Sequence, residues 1–146
     1  MLSRLFDEDR GVFAGRQVKM EDGRWWTDPA VYADRNALAI RALVVAARDL
    51  QNAQAGDAAE RAMDFLLAHC VDQRGAVYHC YLDGERTAPG LLENQTLVAA
   101  ALLDLFELRG AARYGRQDER RAAGRGGRIA AGPRITKLKF LAYFLI

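Results

Sequence analysis

The sequence predicts a mainly α-helical fold in which buried inner helices alternate with half-exposed outer helices in two concentric layers. Three observations predict it. Residues 34–53 and 92–108 are apolar on nearly every face, whereas residues 58–70 carry a single apolar stripe. Units that begin at Asn36 and Asn94 also align at an offset of 58 residues, which indicates a weak internal repeat. One such unit cannot bury its inner helix alone, so the pattern favours a repetitive architecture.

Composition is typical of a globular protein with one domain. The 146 residues include 21 Lys+Arg and 19 Asp+Glu, and 51% are hydrophobic. Neither a run of about 20 apolar residues nor a signal-like start is present, so we expect no membrane partner. Two cysteines cannot form a disulfide framework, which favours a cytoplasmic location.

Residues 1–33 are predicted to form an irregular lead-in that contains a β-hairpin. Asp22-Gly23 is typical of a two-residue hairpin turn between short strands.

The helical hairpins follow in residues 34–110. The first helix is expected to be buried nearly all round, and Asp57 is predicted to cap the second helix. A short strand over residues 76–81 precedes the third helix.

Residues 111–146 form a basic tail rich in Gly and Arg that ends in an apolar stretch. The net charge changes from −6 over residues 1–108 to +8 over residues 109–146. Self-repulsion and glycines predict disorder or weak order in most of this tail. The alternatives are a helical continuation, a basic nucleic-acid arm and an out-of-frame sequence. We favour the out-of-frame interpretation. Nucleic acid is disfavoured because only Tyr114 offers base stacking there.

Three segments resemble the helical domain of the DUF255 family, the YyaL-like thioredoxin-domain proteins related to spermatogenesis-associated protein 20. Residues 32–40 are similar to the family's W-N-G-L-M-I entry into an inner helix. Residues 89–95, continued by residues 101–107, are similar to its P-G-x-L-x-D-x-A loop and helix. The third likeness lies in residues 62–66 and 81–85, and the whole match covers about residues 25–110.

The resemblance implies a partial (α/α)6 toroid of the six-hairpin glycosidase type. About two helical hairpins would be present, with short β-hairpins in the loops. Arg35 and Ala37 depart from the family's Trp and Gly, and Asn94 replaces its Asp, which removes a carboxylate. The chain has no C-x-x-C motif and no thioredoxin domain. The resemblance therefore implies a fragment, inactive alone, of a protein that binds or processes a carbohydrate.

In toroids of this type the site lies at the starts of the inner helices. This implies five ligand candidates: Asp34, Asn36, Tyr81, Glu93 and Asn94. Asp34 and Glu93 fit the carboxyl pair that glycoside hydrolysis needs, but acids also cap helix N-termini. The two asparagines equally suit local hydrogen bonds, and Tyr81 suits either sugar stacking or packing.

No metal or cofactor is expected. The adjacent pairs His69-Cys70 and His79-Cys80 could suggest zinc. Adjacent side chains diverge by about 100° on a helix and point to opposite faces of a strand, so neither pair chelates easily. Whether the chain is an enzyme stays open, and no catalytic residue is assigned.

Three function hypotheses follow. The first is a carbohydrate-binding or carbohydrate-processing fragment, which saturable stabilisation by saccharides would support. The second is a helical-repeat interaction module that self-associates through exposed inner helices. The third, a basic-tailed nucleic-acid binder, would show steep salt dependence.

Overall fold

A computed structural model describes the backbone of residues 5–122 and the side chains of residues 5–110. The helices are α1 (Ala33–Asp49), α2 (Ala53–Phe65) and α3 (Leu92–Ala122), and α2 leads directly into a π-helix over Leu66–Cys70. The strands are β1 (Phe6–Asp7), β2 (Val12–Phe13), β3 (Gln17–Lys19), β4 (Trp25–Thr27), β5 (Val31–Tyr32), β6 (Tyr78–Leu82) and β7 (Glu85–Pro89).

The predicted mainly α fold, a partial (α/α)6 toroid, is wrong. The described chain is a mixed α/β fold, because three small antiparallel sheets accompany the helices. β1 pairs with β2, β3 pairs with β4, and β6 lies between β5 and β7. The predicted short strand is therefore the centre of a sheet. Pairing on both edges satisfies backbone groups that a lone strand would leave unpaired.

The hairpin predicted around Asp22-Gly23 is confirmed, with a turn one residue longer than expected. The N–H of Met20 donates to the carbonyl of Arg24 at 2.7 Å, which closes a three-residue turn. Gly23 has φ +83°, a conformation that glycine adopts without strain. Val18 and Trp26 face each other across the two strands.

In the part of the chain whose side chains are described, one hydrophobic core joins the helices to the sheets. α1 buries one stripe, formed by Ala33, Asn36, Ala37, Ile40 and Val44. Residues of α2, the π-helix, β2, β5 and α3 complete the core. The expectation that α1 is buried nearly all round is wrong, since Leu38 is 51% exposed and Val45 is 47% exposed. The reason is that α2 and α3 cover only one side of α1.

The ends of α2 and α3 also differ from their predicted positions. α2 begins at Ala53, and its cap is Asn52, whose Oδ1 accepts the N–H of Ala55 at 3.1 Å, so the prediction of Asp57 as cap is wrong. α3 begins at Leu92 as predicted and continues to Ala122. The predictions for the side chains of residues 111–122 and for residues 123–146 lie outside the described part of the chain.

None of the described helices is long and apolar enough to cross a membrane.

α1 and α3 lie side by side and run in the same direction. Asp34 and Asn94, near the two helix starts, both approach His79 of β6. Further along, Arg41 of α1 pairs with Asp104 of α3, with Nε and Oδ2 2.7 Å apart. The first turns of both helices therefore meet at β6.

Candidate functional site

Three polar side chains converge where β6 passes the starts of α1 and α3. We name Asp34, His79 and Asn94 the His79 cluster. Nδ1 of His79 lies 3.3 Å from Oδ1 of Asn94 and 3.8 Å from Oδ1 of Asp34. The His79 side chain is 34% exposed, whereas Asn94 is 1% exposed. The histidine thus joins two predicted ligand candidates and leaves one edge of the cluster open.

Pairing of β5 with β6 brings His79 to the start of α1. Tyr32, the last residue of β5, lies opposite Cys80, the next residue after His79. α1 begins directly after Tyr32, so Asp34 follows within its first turn. The alternation of side chains along β6 then places His79 and Tyr81 on one face of the strand.

A second link ties the start of α3 to the same strand. Oε1 of Gln95 accepts the N–H of Val77 at 3.1 Å, and Nε2 of Gln95 donates to the carbonyl of Gly75 at 3.4 Å. These bonds fix the chain that enters β6 against the first turn of α3. Asn94, the residue before Gln95, is held beside His79 as a result.

Two polar atoms of the cluster have no hydrogen-bond partner in the described part of the chain. They are Oδ1 of Asp34 and Nδ2 of Asn94, and both atoms are buried. An ionised carboxylate oxygen only accepts hydrogen bonds, and an amide nitrogen only donates them. Each unpaired buried group costs about 1–3 kcal/mol. Hydroxyl groups are a ligand chemistry that can donate to a carboxylate oxygen and accept from an amide nitrogen.

Tyr32 packs against the ring of His79 and is itself contacted by Arg35 and Asp28. The rings of Tyr32 and His79 have centroids 5.4 Å apart, and the guanidinium of Arg35 lies 4.6 Å from the Tyr32 centroid. The Tyr32 hydroxyl donates to Oδ2 of Asp28 at 3.4 Å. Partial burial, together with the Asp28 carboxylate, raises the pKa of Tyr32. Tyr32 therefore stays a neutral hydrogen-bond donor at physiological pH.

The other three predicted candidates have different surroundings. Asn36 is buried, and its amide bonds to the backbone of Phe13 and Tyr32, so it has a structural role. Tyr81 packs on the rings of Phe65 and His69, with centroids 5.7 and 5.0 Å away. Glu93 is exposed on α3. Within the described residues no hydrogen bond or ion pair joins Glu93 to Asp34, so the proposed carboxyl pair is not formed.

The cysteines show no features of a reactive or metal-binding site. Burial raises the pKa of Cys70 to about 12, and burial also raises the pKa of Cys80. Both thiols are free and stay protonated at neutral pH. Over residues 5–110, no group of three His, Cys, Asp or Glu side chains is arranged to hold a metal ion.

His79 is the site residue that sequence reasoning missed, because it was considered only as a partner of Cys80 for zinc. A usable signal was present in the alternation of the predicted strand, which separates His79 from Cys80 and turns them to opposite faces. Pairing of β5 with β6 was needed to place His79 beside Asp34.

No protein-family model matches this chain, and no curated protein matches it.

Proposed function

We propose that this chain binds a small polyhydroxylated ligand, a mono- or disaccharide, at the His79 cluster. The observation that carries the proposal is that, among the described residues, neither the buried Nδ2 of Asn94 nor the buried Oδ1 of Asp34 in this cluster has a hydrogen-bond partner. A sugar hydroxyl would accept a hydrogen bond from Asn94 and donate one to Asp34.

His79 would contact a second hydroxyl of the sugar. Its Nδ1 faces Asn94 and Asp34, and in the described part of the chain Nε2 makes no hydrogen bond. Nε2 can either donate or accept, depending on the tautomer. His79 is the partly exposed member of the cluster, so a ligand would contact its ring before it reaches Asp34 and Asn94.

The site supports binding rather than hydrolysis. Glycoside hydrolysis requires two carboxyl groups separated by about 5 to 9.5 Å on either side of the scissile bond. Asp34 is the one carboxylate of the His79 cluster, and the predicted partner Glu93 is exposed. We therefore assign Asp34 to hydroxyl recognition and assign no residue to bond cleavage.

Calorimetric titration of the full chain with a panel of hexoses, N-acetylhexosamines and inositol tests the proposal. We expect saturable binding by at least one sugar, and loss of that binding in Asp34→Ala and in Asn94→Leu. Glu93→Gln is the matched control, because it changes an exposed carboxylate next to Asn94 and should bind normally. The absence of saturable binding to every sugar, or equal losses in Glu93→Gln and Asp34→Ala, would refute the function.

A further inference from the structure

The negative charge of Asp34 distinguishes one class of sugar at the His79 cluster, and we propose that the ligand carries a protonated amino group, as a 2-amino-2-deoxyhexose does. The inference rests on the proposed function, because it takes the same site and narrows its ligand. It assigns the ligand ammonium, in place of a hydroxyl, to the Asp34 carboxylate. A ligand hydroxyl then accepts from Nδ2 of Asn94, which is buried and has no partner among the described residues.

Asp34 has no permanently positive partner in the described part of the chain. Its ion-pair neighbour there is His79, whose Nδ1 lies 3.8 Å from Oδ1 and which is positive only when its ring is protonated. The adjacent Arg35 is directed elsewhere, because it donates to the carbonyl of Gly15 at 3.1 Å and lies over the ring of Tyr32. Since a buried charge is costly unless it is paired, the carboxylate favours a cation beside it.

The starts of the two helices compensate the local negative charge only in part. A helix N-terminus acts as about half a positive charge, so α1 and α3 together supply about one. Two carboxylates face them, Asp34 in the first turn of α1 and the exposed Glu93 in the first turn of α3. The charges of Arg35 and Asp28, which both contact Tyr32, offset each other. With a neutral His79 the region therefore stays negative, which favours a cationic ligand over a neutral one.

The Asp34 carboxylate lies at the edge of the cluster. The Asp34 side chain is 20% exposed although its Oδ1 is buried. The charge of a carboxylate is shared between its two oxygens, so an ammonium on the exposed side of Asp34 is attracted without contact with Oδ1. Partial burial strengthens this attraction, because the effective dielectric constant is lower there than in bulk water.

Asn94 requires a second, different group on the ligand. Its Nδ2 only donates hydrogen bonds, and an ammonium carries three donors and no acceptor, so the group that meets Asn94 has to be an oxygen. A 2-amino-2-deoxyhexose carries its ammonium and a hydroxyl on neighbouring carbons and thus offers both groups together. N-acetylation removes the charge of the amine, and the acetylated sugars should therefore lose the preference.

Calorimetric titration of the full chain near neutral pH tests the inference with glucosamine, galactosamine and mannosamine, each beside its parent hexose. We expect the amino form to bind about tenfold more tightly, because a hydrogen bond from a charged donor is roughly twice as strong as a neutral one. The N-acetylated form should bind no more tightly than the parent hexose. Asp34→Asn keeps the shape and an acceptor oxygen but removes the charge, so it should bind the amino form and the parent hexose equally.

Glu93→Gln is the matched control, because it removes an exposed carboxylate beside Asn94 and should keep most of the preference. Circular dichroism melts verify that both variants are folded, and the comparison with N-acetylated sugars decides the matter on the wild type alone. A parent hexose that binds as tightly as its amino form, or a preference that persists in Asp34→Asn, would overturn the inference and leave sugar binding intact. If neither form of any sugar binds, the proposed function fails and the inference fails with it.

Discussion

The side-chain amide of Asn36 bonds to the backbone of Phe13 as a neighbouring strand would. Its Oδ1 accepts the N–H of Phe13 at 2.9 Å, and its Nδ2 donates to the Phe13 carbonyl at 2.9 Å. Nδ2 also donates to the carbonyl of Tyr32 at 3.0 Å. One buried side chain therefore fixes β2 to the first turn of α1. Asn94 is equally buried at the start of α3, but within residues 5–110 its Nδ2 has no hydrogen-bond partner.

Replacement of Asn36 by Leu is expected to lower the free energy of unfolding by about 2–4 kcal/mol. The substitution leaves the N–H and the carbonyl of Phe13 without their partner in a partly buried position. Urea unfolding followed by circular dichroism measures the change. A loss below about 1 kcal/mol would mean that solvent replaces the amide without penalty at this position.

Replacement of Asn94 by Leu is expected to change the free energy of unfolding by less than about 1 kcal/mol in either direction. The substitution removes an unpaired buried donor, and this gain offsets the loss of the contact with His79. The same urea experiment, run beside Asn36→Leu, gives the comparison. If both variants lose similar stability, the Asn94 amide has a structural role, and its assignment to ligand binding would fail.

The positions of the helices could be predicted from sequence, but their surroundings could not. Helical periodicity correctly located the start of α3 at Leu92, and Asp22-Gly23 correctly located a hairpin. Leu38 and Val45 were expected in the core because they are apolar. Their exposure depends on which neighbours cover α1, and periodicity within one helix does not contain that information.

The candidate site was only partly predictable for a similar reason. Asp34 and Asn94 could be selected because both lie at the start of an apolar helix. Asn36 has the same residue type and a similar position, yet its amide is satisfied by Phe13, which is 23 residues away in sequence. The difference arises from β2, a strand of two residues that is too short to show a period of two.

Alanine at Gly11 is expected to destabilise the chain more than alanine at Gly23. Both glycines have positive φ, +68° and +83°, so both substitutions strain the backbone. A Cβ at Gly11 would also lie 2.9 Å from Cβ of Arg61, whereas a Cβ at Gly23 meets nothing within 4 Å. Thermal melts of the two variants should show a loss of about 1 kcal/mol for Gly23→Ala and a larger loss for Gly11→Ala. Equal losses would mean that α2 shifts to relieve the contact with Arg61.

The buried thiol of Cys70 is expected to make the fold sensitive to alkaline pH. Its pKa is raised from 9.0 to about 12, chiefly by burial, so the folded state favours the protonated thiol. This contribution to stability is fully present below pH 9 and is lost as the pH rises towards 12, because only the unfolded chain releases the proton in that window.

The difference in unfolding free energy between wild type and Cys70→Ala isolates this effect from the titration of tyrosines and lysines. Urea unfolding at a series of pH values should show that the advantage of the wild type shrinks by on the order of 1.4 kcal/mol per pH unit above about pH 9. Cys80→Ala is the control, and its smaller burial predicts a weaker dependence. Parallel stability curves for wild type and Cys70→Ala would show that the Cys70 thiol ionises as easily in the folded chain as in the unfolded one.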